Sequence, residues 1–334
     1  MRAVRVNEFD RPEAIELAGV KTPPIGPGDV LIRTHAAPVN YVDIVAMQGK
    51  YQFKPALPYT PGKGPAGVVL EVGREVTDFA VGDRVLAMAE YGGYAEQAVA
   101  PAGQVYKLPA SLSFVDAAAM SLAFDTAWMA LRERGRIAPG ESVLVLGASG
   151  AVGSAAVQLA KAMGAAQVLA GVSRPERFDA LKNLGADGYI DLSQPDLRES
   201  VRSQVFALTG DNGVDVVIDA LGGDPFDGAI RSLAWRGRMV IVGFAAGRIP
   251  TLKMNYPMLK NIEVSGLQIS DYRKRAPELM AQCYAEIFAM YADGRIHPPA
   301  SQTFALGQFR EAIDSVISRD VTDRVIFEPQ READ

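Results

Sequence analysis

The chain has 334 residues, of which 49% are hydrophobic and 22% charged, and its 34 basic and 39 acidic side chains leave a formal net charge of −5. That length exceeds what one compact core accommodates, so two domains are expected. The acidic balance, with no basic run, argues against a nucleic-acid partner.

A single cysteine, Cys283, and two histidines, His35 and His297, narrow the chemistry. One cysteine rules out an intrachain disulfide and a four-cysteine zinc site, and it fits a reducing compartment such as the cytoplasm. Residues Met1 to Glu8 carry charge at once and read as a first strand, not a signal peptide. No window approaches the ~18 uninterrupted apolar residues of a membrane span, so no membrane partner is expected.

In chain order, the first stretch is β-rich. Val30-Leu31-Ile32-Arg33-Thr34, Gly67 to Val72 and Arg84-Val85-Leu86-Ala87 are short strand-like runs, punctuated by Pro27-Gly28, Pro61-Gly62 and Gly92-Gly93. Such spacing predicts a barrel-like or sandwich unit. The pattern changes after Ser111, and Phe114 to Leu131 is Ala-rich and reads as helix. Pro139-Gly140 then introduces alternating elements: a strand Ser142 to Leu146, a helix from about Ala151 to Met163, a strand Val168 to Val172 and a helix-like Pro175 to Leu184. Asp215 to Asp219 and Arg238 to Val242 are further buried-strand runs. Near-continuous apolar strands alternating with helices predict a parallel, doubly wound sheet. Beyond about Pro298, a short helix Leu306 to Ile317 leads to a terminal strand Arg324 to Phe327. Its return to the first domain would make the α/β unit an insertion.

The strand Ser142 to Leu146 enters Gly147-Ala148-Ser149-Gly150-Ala151-Val152-Gly153, and a helix follows at once. Glycine permits the sharp strand-to-helix turn, and the missing Cβ lets backbone approach a pyrophosphate. The helix N-terminus then offers N–H groups and a positive dipole end. The spacing is G-x-x-G-x-x-G, which departs from the common G-x-G-x-x-G, so the strand–turn–helix context carries the reading.

An NAD-selective site places an acid about 20 residues beyond the glycines, on the ribose 2′-hydroxyl. Here that stretch reads Val172-Ser173-Arg174-Pro175-Glu176-Arg177, with no acid at the strand tip. Ser173, Arg174 and Arg177 suit a 2′-phosphate, because a guanidinium brings charge and paired donors. The cofactor expected is NADPH.

Further residues complete a pattern: Pro38-Val39-Asn40-Tyr41-Val42-Asp43, Val81-Gly82-Asp83-Arg84-Val85, Gly92-Gly93-Tyr94-Ala95-Glu96, Leu184-Gly185-Ala186-Asp187 and Leu259-Lys260-Asn261-Ile262. Together with the glycine turn they make the chain resemble, end to end, the zinc-free quinone oxidoreductase (zeta-crystallin-like) family of the medium-chain dehydrogenase/reductase superfamily. The resemblance implies an α/β fold in which a Rossmann doubly wound parallel sheet is inserted in a GroES-like β-barrel domain. Residues 1–122 and 297–334 would form the GroES-like catalytic domain, 123–296 the NADPH-binding domain, and the active cleft would lie between them. It implies hydride transfer from NADPH to a quinone or a related α,β-unsaturated carbonyl compound. It also implies a homodimer, paired through the edge strand Ile262 to Leu267.

Carried over by resemblance, Asn40 and Thr126 stand beside the nicotinamide and Tyr51 lines the substrate cleft. Gly243, Phe244 and Ala245 form a loop past the nicotinamide riboside. Arg177 and Arg319 are placed to reach the 2′-phosphate, and Arg324 stands where relatives have a Lys near the cofactor. Departures are Leu192 for a Tyr on the adenosine side, Gly64 for an acid, and Val45 and Met47 for a Tyr and an Arg. The last two are expected to make the cleft more apolar.

Zinc-dependent relatives bind metal around the Asn40 and Gly62-Lys63-Gly64 positions, and neither segment supplies Cys or His here. Two distant histidines do not make a catalytic zinc site, so no metal is expected. Without a Lewis acid an alcohol is hard to deprotonate, whereas an electron-poor acceptor accepts hydride directly. The proton would come from Tyr51 or solvent. Two other readings stay open: an ene-reductase of enones, enals or acrylate-like compounds, and a non-catalytic NADPH-binding protein.

Overall fold

The computed structural model describes residues 1–318 and 323–332 and divides into two compact units. One comprises Met1–Leu122, Tyr272–Tyr284 and Pro298 onward; the other comprises Ala123–Asp271 and Ala285–His297.

The first unit is built on a mostly antiparallel sheet. Its strands run in the order Ser301–Ala305, Arg324–Glu328, Asp29–Pro38, Ala66–Val72, Arg84–Ala87 and Val105–Lys107, and Gln97–Pro101 also pairs with Asp29–Pro38. The late strand Arg324–Glu328 joins the early one by pairing Ile326 with Pro38 and Phe327 with Ala37. The late chain therefore returns to the fold of the early chain, and the second unit is inserted between them. A core of Val4, Ile44, Met47, Tyr94, Phe304 and Phe327 fills the unit, with the Tyr94 ring edge-on to Phe327 at 4.9 Å.

The second unit carries a six-stranded parallel sheet: Gly188–Asp191, Gln167–Val172, Ser142–Leu146, Val214–Asp219, Leu233–Ile241 and Glu263–Gly266, in that order. The central strands are buried on both faces, which is why they read as unbroken apolar runs. After Ser142–Leu146 the chain builds outward on one side, then crosses to build outward on the other. Ligands of doubly wound sheets bind at such a reversal, beyond the carboxyl ends of the strands. Glu263–Gly266 lies at the sheet edge.

Two expectations change. The Ala-rich stretch is not one helix: Phe114–Met120 and Ala123–Trp128 are separated at Leu122, whose φ is +60°, and Met129–Arg134 widens into a π-helical turn. The run Phe114–Arg134 is long and apolar enough to cross a membrane, yet 78% of its most apolar window is buried inside the fold, as a core helix would be. The segment Tyr272–Tyr284, expected in the nucleotide domain, clusters with the barrel unit. Its anchors are Tyr284 stacked on Tyr106 at 4.1 Å and Arg273 beside Glu90.

Candidate functional site

The glycine turn has the geometry its sequence predicts. Gly147 leaves the strand at φ +73°, and its N–H and that of Ala148 donate to Gly171 O at 3.1 Å. Gly150 caps the helix Ala151–Ala162 with no side chain over the helix end. The N–H groups of Ala151, Val152 and Gly153 have no intrahelical partner, because first-turn donors never do. A Cβ on Gly153 would lie 2.2 Å from Gly147 O and 2.6 Å from the Ala148 Cα, so only glycine lets the helix seat against the turn. Ser149 is half-buried at the tip of the loop. The result is a concave backbone cradle at a helix N-terminus, which fits a pyrophosphate.

Two neighbouring loops are fixed to each other beside it. Asp219 ends its strand fully buried, and its Oδ1 accepts from the N–H groups of Leu221 and Gly222, both at 2.9 Å. Burial raises its pKa against the pull of those two donors. Leu221 packs where a Gly147 side chain would stand. The loop Gly243, Phe244, Ala245 is bound to the same turn, since Gly243 N–H donates to Asp219 O and Ala245 N–H to Ala220 O. Phe244 is 41% exposed. Thr126 is buried in Ala123–Trp128, a helix packed on Ala151–Ala162.

At the tip of the next strand, Ser173 and Arg174 are exposed and Arg177 is half-buried. Neither guanidinium forms an ion pair among the described residues. Arg319 lies outside the described residues.

In the barrel unit, Asn40 caps the helix Tyr41–Met47. It is buried, and its Nδ2 donates to Asp43 Oδ2 at 3.2 Å. Its Oδ1 accepts from Arg324 Nη2 at 2.8 Å, and Arg324 Nε donates to Ala119 O at 3.2 Å. Arg324 is thus committed to this unit through two of its donors. Asp43 also accepts from the Tyr94 hydroxyl at 3.0 Å. Burial raises the Asp43 pKa to about 6, with Lys63 and these hydrogen bonds pulling the other way. The Tyr94 and Tyr59 hydroxyls are pushed up, first by burial and then by the Asp43 charge.

A cavity of about 260 Å³ opens beside this cluster. Tyr51, Phe53, Tyr59 and Tyr91 give it aromatic walls, and Asp43, Lys63 and Glu90 give it charge. Lys63 is 4% exposed; its Nζ donates to Glu90 Oε2 at 2.5 Å and to Glu90 O at 2.9 Å, and stands 5.4 Å from the Tyr51 ring centre. Arg273 Nη1 lies 4.0 Å from Glu90 Oε1. Sequence reasoning did not single out Lys63, Glu90 or Arg273. The available signal was a lysine set between two glycines, Gly62-Lys63-Gly64, in an otherwise small and apolar run. Met47 does not stand where it was expected. The helix Tyr41–Met47 turns Asp43 and Ala46 to the cavity, while Met47 is packed in the barrel core.

The positions that hold zinc in metal-dependent relatives do not fit a metal here. Asn40 is hydrogen-bonded to Asp43 and Arg324, Lys63 brings a cation, and a Cβ on Gly64 would lie 2.5 Å from Ser121 Oγ. Among the described residues no three His, Cys, Asp or Glu side chains gather to hold an ion. His35 is stacked on Phe114 at 4.7 Å, with its pKa lowered by burial and by Arg33 and Arg84. His297 is an exposed residue bound through its backbone to Gln158.

A barrel unit with an inserted doubly wound sheet and a glycine cradle at its switch point defines a dehydrogenase/reductase. Residues 26–110 match the alcohol dehydrogenase GroES-like domain, and 151–286 match the family described as zinc-binding dehydrogenase. The chain is 36% identical over 328 residues to a quinone oxidoreductase-like protein 2 homolog of Nematostella vectensis, covering 98% of this chain and 88% of that protein. It is 35% identical to the quinone oxidoreductase of Homo sapiens over 95% of this chain and 94% of that one. Among solved structures, a quinone oxidoreductase of Pseudomonas syringae superposes with a TM-score of 0.89 at 32% identity, covering 98% of this chain and 99% of that one. A mycobacterial protein solved in complex with NADPH superposes with a TM-score of 0.90 at 28% identity, covering 98% and 100%. The chain belongs to the quinone oxidoreductase family of the medium-chain dehydrogenase/reductase superfamily, and it is an oxidoreductase.

Proposed function

We propose that this chain is a zinc-independent NADPH:quinone oxidoreductase. The observation that carries the cofactor choice is the glycine cradle with two guanidinium groups, unpaired among the described residues, at the tip of the next strand, where an NAD site needs an acid. The cradle binds the pyrophosphate, and Arg174 and Arg177 close on the 2′-phosphate. The name of the mycobacterial neighbour, solved with NADPH, supports the same choice.

When bound, the cofactor supplies a hydride from nicotinamide C4. The cavity beside Tyr51 holds the acceptor: its aromatic walls stack on a conjugated ring and exclude water. Asn40 and Arg324 brace the wall that carries Asp43. In this reading Tyr51, which lines the cavity, hydrogen-bonds the acceptor oxygen and passes it a proton. Activated alkenes such as enals share the electron-poor character that this site needs and are the second reading. We further propose a homodimer paired along Glu263–Gly266, an edge strand near the exposed Met254, Met258 and Leu259.

Initial rates with NADPH and NADH against benzoquinone, phenanthrenequinone and a 2-alkenal test this reading. Turnover of quinones with NADPH, unchanged by a chelator, is expected. Quenching of Trp128 and Trp235 fluorescence by NADPH without turnover of any acceptor would replace the enzyme with a binding protein.

A further inference from the structure

We propose that the cavity beside Tyr51 selects acceptors that carry a carboxylate. The conjugated ring lies among Tyr51, Tyr59 and Tyr91, and the carboxylate turns to Lys63, Lys54 and Lys274. The proposal rests on the reading of this cavity as the acceptor site and adds the class of acceptor.

The charge balance of the walls carries it. Lys54, Lys63 and Lys274 line the cavity with only Asp43 and Glu90 as carboxylates. Lys63 is paired with Glu90 Oε2, and Arg273 stands 4.0 Å from Glu90 Oε1. Asp43 is the other carboxylate of the wall, against the ammonium groups of Lys54 and Lys274. This is an excess of positive charge in a chain whose net charge is −5, and it favours entry of an anion.

The geometry agrees. An ammonium has three hydrogens, and those of Lys63 have two acceptors, both on Glu90. One donor remains on a buried cation in the cavity wall. Lys274 Nζ lies 4.8 Å from the Phe53 ring centre, and that ring stands edge-on to Tyr51 at 6.0 Å. Two adjacent rings therefore each carry a cation, one deep and one at the exposed mouth beside Lys54. Neither Lys54 nor Lys274 forms an ion pair among the described residues. A volume of about 260 Å³ sits below the usual ligand-cavity range of about 300–1,000 Å³ and restricts the acceptor to a small ring system.

The test compares menadione bearing a propionic acid tail with its methyl ester, which share the redox ring. Both are titrated calorimetrically into the full chain, with and without NADP⁺. The acid is expected to bind about tenfold more tightly, as one charge-assisted hydrogen bond allows. The advantage should shrink at high salt and in the Lys54→Gln/Lys274→Gln double variant, whose changes are at the surface, and vanish on adding Lys63→Gln. Equal Kd values for acid and ester in the wild type overturn the proposal, whatever the variants do. Turnover keeps the two claims apart. Reduction of both compounds at equal kcat/KM, with equal binding, removes the carboxylate selection and leaves the reductase. Tighter binding of the acid with no reduction of either compound removes the reductase and leaves the selection.

Discussion

Two groups of positive charge in this chain are held in opposite ways. In the barrel unit, Lys63 is buried, bound twice to Glu90, and set beside an aspartate and an arginine that are themselves hydrogen-bonded or buried. In the nucleotide unit, Arg174 is exposed and Arg177 half-buried, and neither forms an ion pair among the described residues. The first arrangement commits two of the three Lys63 donors to the fold. The second leaves both guanidinium groups open to a ligand such as the proposed 2′-phosphate. A buried cation without its partner is costly, so the barrel cluster is rigid and intolerant of change, whereas the arginines can be altered with little effect on the fold.

The sharpest break in this contrast should come at Gly153 in the cradle, which is neither charged nor exposed. Gly153→Ala places a Cβ against the carbonyl oxygen of Gly147 and the Cα of Ala148. Both are backbone atoms, so no rotamer change relieves the clash. The cost should exceed the about 1–3 kcal/mol of ordinary overpacking. It is read as a fall in Tm together with loss of NADPH quenching. A variant that binds NADPH normally would mean that the helix does not seat on the turn.

The next effect belongs to the buried cluster and is set by pH. Asp43 has a pKa near 6 in the fold against a usual 3.8. The folded chain therefore holds this proton more tightly than the unfolded chain, and stability from this group is present at low pH and lost as pH rises between those values. The loss amounts to about 3 kcal/mol at about 1.36 kcal/mol per pH unit. Asp43→Asn cannot ionise, so its stability relative to the wild type should rise across that window in denaturant titrations. A difference that stays flat with pH would show that Asp43 ionises without penalty.

The smallest effect falls on the exposed arginines. Arg174→Ala with Arg177→Ala should weaken NADPH by about tenfold, as expected for screened charge-assisted contacts. NADH binding and Tm should hardly move. Equal losses for both cofactors would take these residues off the 2′-phosphate.

Much of the nucleotide unit was legible because its signals are local. The run Ser142 to Leu146, the three glycines and the missing acid near Ser173 lie within one βαβ unit, and each depends on near neighbours. The barrel cluster was legible only in part. Asn40 stood out, but its partner Arg324 is 284 positions away and was read toward the cofactor. Lys63 and Arg273 each meet Glu90 through tertiary contacts that no spacing announces. Met47 was placed in the cleft by resemblance alone, and the helix Tyr41–Met47, with only seven residues, is too short for its apolar pattern to fix which side faces the core. The break at Leu122 was hidden in the same way by a run of alanines that would suit an unbroken helix.

Gly64 has a consequence for how this site could change over evolutionary time or in the hands of an engineer. Its backbone sits at φ +73°, and the place where a Cβ would go is already taken by Ser121 Oγ, with Met88 Sδ at 3.3 Å behind it. A metal-ligating side chain cannot be introduced at this position in one step. It would need a smaller residue at 121 and a backbone that tolerates the strain. The space that a single hydroxyl occupies thus stands against a ligand at position 64, whatever the neighbouring positions carry.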